Sequence, residues 1–188
     1  MTEGTFLILA IAGSIRRQSY NRGLVRAAIE LAPRDVRIEP YDIADIPPYN
    51  SDVEAAGDPE TVRDFKQHIR AADALLIATP EYNYGVPGVL KNALDWASRP
   101  PTDSVLWRKP LGIVGASSGR GGTIRAQLAL RQTFLFTESY ALLKPELAIA
   151  NAADYFDSEG HLRDEKIREL LKRMLAALVD WAHLVRPR

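Results

Sequence analysis

Cysteine is absent from the chain. Its absence excludes disulfides, thiol nucleophiles and every thiolate metal site, and it fits a reducing compartment. Histidine is scarce: His68, His161 and His183 are scattered, and none has a metal-ligand spacing. An excess of either charge is missing too, since 24 Lys+Arg balance 24 Asp+Glu with no long run of one sign. No net field therefore favours nucleic acid or anionic lipid. The longest apolar runs are about half a membrane span. The few residues before the first such run lack the basic flank, long apolar segment and small-residue cleavage site of a signal peptide. The expectation is a cytoplasmic protein with no nucleic-acid and no membrane partner.

What is present is ordinary globular composition, 46% hydrophobic and 26% charged over 188 residues, enough for one domain spanning 1–188 with a full core. Apolar runs at 6–11, 74–78 and 111–116 do not alternate with polar residues, as expected of interior parallel strands covered on both faces. Each is followed by a short polar or Gly-rich segment and then a helical pattern. A weaker strand at 36–41, a helix over about 59–70 and a late strand within 141–150 complete an alternating order. Asp164 can cap a last helix, in which Ile167, Leu170, Leu171, Met174, Leu178, Trp181 and Val185 form a core-facing stripe. The fold expected is α/β: a flavodoxin-like, three-layer, doubly wound sandwich around a five-stranded parallel sheet of order 2-1-3-4-5. In that order the loops after strands 1, 3 and 4 emerge on one edge and converge.

The first of these loops, Gly13-Ser14-Ile15-Arg16-Arg17-Gln18-Ser19-Tyr20-Asn21, leads from a buried strand into a helix whose free N–H groups attract an anion. Ser14, Ser19 and Asn21 add donors, and Arg16 can supply a charge-assisted fork. The same residue types also serve as plain helix caps, and both uses stay open from this loop alone. It matches neither G-x-G-x-x-G nor G-x-x-x-x-G-K-[ST], so a terminal monophosphate suits it better than a pyrophosphate or triphosphate. A phospho-acceptor receiver domain shares the fold but needs acidic residues where this chain has Ala12-Gly13-Ser14 and Thr79-Pro80-Glu81, so that assignment fails.

The second loop, Thr79-Pro80-Glu81-Tyr82-Asn83-Tyr84-Gly85-Val86-Pro87, sets two tyrosines, an Asn and a Glu between two prolines. Backbone amides of Glu81 to Tyr84 can face the polar edge of a heteroaromatic ring, such as a flavin, while the tyrosines cover part of its face. The competing reading is a Pro-rich turn whose tyrosines pack on the next helix. The third loop, Ser117-Ser118-Gly119-Arg120-Gly121-Gly122, has glycines that let backbone approach a ligand, and it would serve equally as a flexible surface loop.

Taken together, Gly13-Ser14-x-Arg16-x-x-Ser19-x-Asn21, the run from Pro80-Glu81-Tyr82-Asn83-Tyr84-Gly85-Val86-Pro87-Gly88 through Leu90-Lys91-Asn92-Ala93-Leu94-Asp95-Trp96, and Ser117-x-Gly119 resemble the NAD(P)H-dependent FMN reductase family, which includes quinone, azo-dye and chromate reductases. The resemblance spans nearly the whole chain. It implies that Ser14, Arg16, Ser19 and Asn21 hold the FMN phosphate, that Glu81, Tyr82, Asn83 and Tyr84 follow the isoalloxazine edge, and that Ser117 lies near the ring. Tyr20, Pro80 and Gly119 complete the expected cofactor-binding set. Thr123 departs from the pattern, standing where a third small residue is expected after Gly121-Gly122.

The resemblance further implies bound FMN, NADPH or NADH as co-substrate, and hydride transfer to flavin N5. A quinone, azo compound, metal oxyanion or similar small-molecule electron acceptor is then reduced in a ping-pong cycle. Because such chemistry belongs to the cofactor, no side chain is assigned a catalytic role and no metal is expected. A homodimer or homotetramer is implied in the same way. The competing functions are a flavodoxin-like FMN electron carrier and a redox sensor, both without nicotinamide turnover. Balanced charge argues against the carrier, which commonly docks through an acidic face.

Overall fold

The computed structural model describes residues 5–185. Its elements run β1 (Phe6–Ala12), α1 (Tyr20–Glu30), β2 (Val36–Tyr41), α2 (Ser51–Ala56), α3 (Glu60–Ala71), β3 (Ala74–Ala78), α4 (Gly88–Ala97), β4 (Pro110–Ala116), α5 (Ile124–Phe136), β5 (Tyr140–Ala141), β6 (Leu147–Ile149) and α6 (Glu165–Val185). All strand pairings are parallel and the order is β2-β1-β3-β4-β5, as the sequence pattern implies.

The continuous apolar runs have the expected cause. Ile8, Ala10, Leu76 and Val114 point into a core closed by α1 and α6, whereas Leu9, Ile11, Leu75, Ile77 and Ile113 point into a second core closed by α3, α4 and α5. Neighbouring residues of one strand thus enter different cores, so every position is apolar. At about 25 cal/mol per Å² of buried apolar surface, these two cores are the dominant stabilising contribution. Asp164 does start the last helix, with its Oδ1 accepting from the Ile167 amide at 2.9 Å.

The late strand differs from the single segment expected within 141–150. Two short pieces, β5 and β6, occupy the fifth position and pair with opposite ends of β4, Pro110 with Tyr140 and Val114 with Leu147. Between them Pro145 has no N–H to give a ladder, so the chain leaves the sheet and returns. The helix α2 was not expected either. It lies in the long connection after β2, where Asn50 caps it through the Asp52 amide at 2.8 Å.

That connection is strapped to α4 by two residues of the long motif. Asn92 accepts from the Tyr49 amide at 2.7 Å and donates to the Pro47 carbonyl at 2.9 Å, which also accepts from the Trp96 indole at 2.8 Å. Asn92 and Trp96 of this motif therefore serve the scaffold.

Candidate functional site

The loops after β1, β3 and β4 meet at the carboxyl edge of the sheet, and each is bonded to the other two. Between the first and second, the Gly13 amide donates to the Ala78 carbonyl at 2.8 Å, and the hydroxyls of Ser14 and Tyr82 share a hydrogen bond of 3.2 Å. Position 13 is closely packed, since a Cβ there would lie 2.8 Å from Leu90 Cδ2 and 3.3 Å from Pro80 Cδ. Between the first and third, the Asn21 carboxamide pairs with both backbone groups of Ala116 at 2.9 Å. Between the second and third, Glu81 spans to the start of α5.

In the first loop Ser19 is the N-cap of α1, its hydroxyl accepting from the Asn21 amide at 3.2 Å. Ser14 and Ser19 are buried, while Arg16 and Arg17 are exposed, and the Arg16 guanidinium stands 5.9 Å from the Tyr20 ring centroid. This gives a helix N-terminus with two hydroxyls and a cation beside it, a donor set suited to a phosphate. Asn21, expected among the phosphate donors, is buried, and its carboxamide bonds both backbone groups of Ala116, so it also holds the loop.

The second loop is a tight turn. Tyr82 and Gly85 exchange backbone bonds of 3.2 and 2.9 Å around Asn83 and Tyr84, both left-handed with φ of 49° and 65°. Two successive left-handed residues are the signature of a type I′ turn; asparagine tolerates that conformation, whereas tyrosine is strained in it, a strain that concentrates at functional sites. The turn leaves the amides of Glu81, Asn83 and Tyr84 without a hydrogen-bond partner among the described residues, whereas that of Tyr82 is spent inside the turn. Tyr82 and Tyr84 project outward, Tyr84 with 72% of its surface exposed, so they do not pack on α4.

The Glu81 side chain does something that no local pattern announces. It is only 5% exposed, and its Oε2 accepts from the amides of Arg125 and Ala126 at 2.9 and 3.1 Å while Oε1 takes Arg125 Nε at 2.8 Å. A carboxylate 44 residues away thus caps α5 and meets its positive end, because Thr123, at the N-cap position, makes no side-chain cap bond. Arg125 in turn lies 3.7 Å from the Tyr84 ring centroid, which holds the turn against the helix. Arg125 was missed in the sequence because its signal is the partner in space; its only local mark is its place just after Gly121-Gly122.

In the third loop the Ser117 hydroxyl accepts from the Gly119 amide at 3.2 Å, and the loop is pinned to the end of β6 and the segment after it by Ser117 N to the Ile149 carbonyl and by Asn151 N to the Gly119 carbonyl. Thr123 is fully buried and accepts from Gln127 at 3.0 Å, which accounts for its departure from a small residue. Between this loop and the turn lies a cleft of about 540 Å³, with Asn83 and Tyr84 on one side and Ser117, Gly119 and Arg120 on the other. Its volume is that of a small-molecule site, and its lining is mixed polar and aromatic.

The family model described as NADPH-dependent FMN reductase matches residues 6–154. An NAD(P)H-dependent FMN reductase of Pseudomonas aeruginosa is 52% identical over 95% of this chain and 96% of its own length. A quinone reductase of Pseudomonas putida is 40% identical over 96% of this chain and 97% of its own. Among solved structures, a flavoenzyme NAD(P)H:(acceptor) oxidoreductase from Paracoccus denitrificans superposes with a TM-score of 0.86 at 34% identity, covering 95% of this chain and 98% of the other.

Proposed function

The chain belongs to the NADPH-dependent FMN reductase family, and from that premise we propose that it takes hydride from NADPH or NADH and reduces quinones or similar small acceptors. The observation that carries the reading is the frame of three mutually bonded loops around a phosphate-type donor set and a polar cleft. FMN, when bound, supplies the hydride acceptance and electron transfer that no side chain here provides.

The residues fit that cofactor by chemistry. Ser14, Ser19, the amides at the start of α1 and Arg16 would hold the phosphate. The free amides of Glu81, Asn83 and Tyr84 are donors for the acceptor atoms along a flavin's pyrimidine edge, and Ser117 and Gly119 would lie near the ring. The protein's work is positioning: a turn fixed by Glu81 and Arg125 presents these donors without reorganisation when the ring arrives. An open cleft lets nicotinamide and acceptor use one face in alternation.

The exposed apolar row on α5, made of Ile124, Leu128, Leu135 and Phe136, supports a homodimer or homotetramer. No helix among the described residues is long and apolar enough to cross a membrane, and a cytoplasmic location remains part of the proposal. The test is to load the chain with FMN and follow NADPH and NADH oxidation with and without a quinone. Turnover that needs both FMN and quinone, with parallel double-reciprocal lines, is expected. A bound flavin that neither coenzyme reduces would favour the electron-carrier reading instead.

A further inference from the structure

Two guanidinium groups line the cleft, and they are held differently. Arg125 is committed to the Glu81 carboxylate and to the Tyr84 ring. Arg120 is exposed and has no hydrogen bond, ion pair or ring contact among the described residues. Since Arg125 cancels Glu81, the charge left over in the wall of the cleft is that of Arg120. The loop beside it is packed against the committed pair: a Cβ on Gly121 would come within 2.7 Å of Arg125 Nη2. Arg120 is therefore the uncompensated charge of this wall, one residue before a glycine packed against the neutralised Glu81–Arg125 pair, and its place suits an anion.

A cleft of about 540 Å³ accommodates a ring system and not a whole dinucleotide. A coenzyme whose nicotinamide enters it must carry its adenosine half out over the rim, past the Ser117 to Gly122 loop or past the turn. The two coenzymes differ only on that half, where NADPH has a 2′-phosphate and NADH a hydroxyl. A phosphate monoester is mostly dianionic at neutral pH and offers three acceptor oxygens, which an unpaired guanidinium fork can take in a bidentate manner.

We infer that Arg120 recognises the 2′-phosphate of NADPH and makes this chain prefer NADPH to NADH. The inference rests on the reading of the cleft as the flavin and coenzyme site. Arg16 and Arg17 sit on the first loop, so they do not duplicate the role within the cleft wall.

The test uses the FMN-loaded full chain and Arg120→Ala. The KM for NADPH is expected to rise about 10- to 100-fold, the range for one charged hydrogen-bonding partner, with kcat and the KM for NADH kept at wild-type values. Titration calorimetry with adenosine 2′,5′-bisphosphate and with AMP reads the same contact without turnover: the wild type binds the bisphosphate more tightly, and the variant binds both alike. Arg120→Lys, which keeps the charge and loses the fork, should fall between. Equal effects on both coenzymes, no effect on either, or a wild type that binds the bisphosphate no better than AMP would overturn the assignment. A change confined to the KM of an anionic acceptor would overturn it too. If the loaded wild type oxidises neither coenzyme, it is the reductase reading that fails, and the calorimetric pair still decides the role of Arg120.

Discussion

Asn21 and Ala116 exchange two hydrogen bonds of 2.9 Å across 95 residues of sequence, side-chain amide to carbonyl and backbone amide to side-chain oxygen. The pair is buried and joins the first turn of α1 to the last residue of β4. With the Ser14–Tyr82 contact and the Glu81–Arg125 pair it closes a ring of three links among the three loops. A ligand spanning these loops would meet donors already in place, which lowers the ordering cost of binding.

Replacing Asn21 with Ala leaves a buried N–H and a buried C=O on Ala116 unpaired. The expected loss of stability is about 2–6 kcal/mol, at about 1–3 kcal/mol for each unsatisfied group. Denaturant midpoints check it. FMN affinity should fall as well, because the clamp holds the first loop; an unchanged midpoint would show that the clamp contributes nothing.

Arg16→Ala is expected to weaken FMN binding by about 1.5–3 kcal/mol, the value of a charge-assisted hydrogen bond. Quenching of flavin fluorescence measures the dissociation constant directly. Arg17→Ala, one residue along the same exposed loop, should leave it unchanged, and the opposite ranking would move the phosphate contact to Arg17.

The layout of strands and loops was legible because it is written in local periods: unbroken apolar runs for covered strands, prolines and glycines for the breaks. The Gly13 to Asn21 loop and the Pro80 to Pro87 turn could be located for the same reason. What stayed hidden depends on distance in space. Asn21 reads identically as a phosphate donor and as a clamp, because its partner is a backbone group with no sequence signature. Glu81 and Arg125 carry no mark of their pairing, and the left-handed Tyr84 is masked by a residue type that rarely adopts that conformation. The divided fifth strand was blurred because Leu142 and Leu147 are both buried and mimic one continuous run around Pro145.

Asp157 predicts an acid-sensitive hairpin before α6. Its carboxylate accepts from the His161 and Glu159 amides and from Arg163, and these bonds, that from His161 foremost, hold its pKa at about 2 against the ordinary 3.8. A depressed folded-state pKa stabilises the fold above the unfolded value and ceases to do so as pH falls through the folded one. The stability difference between wild type and Asp157→Ala should therefore be full above pH 3.8 and shrink toward pH 2. Denaturation across that range reads it, and a difference that widens in acid would contradict the assignment.

The outer face of α5 carries the remaining prediction. Its inward side, Ala126, Leu130 and Phe134, fills the core, yet Leu135 is 79% exposed, Ile124 and Leu128 continue its row at helical spacing, and Phe136 beside it is 88% exposed. A helix that is apolar on both sides needs cover on both. A second copy of the chain would supply it, since the same row then meets itself about a twofold axis. Leu128→Asp with Leu135→Asp should leave the core untouched while placing charges on that surface. Light scattering is expected to show the mass of the wild-type assembly falling toward that of a monomer, and the melting temperature should lose its dependence on protein concentration. A wild type that already scatters as a monomer at micromolar concentration would remove the homo-oligomer from this account.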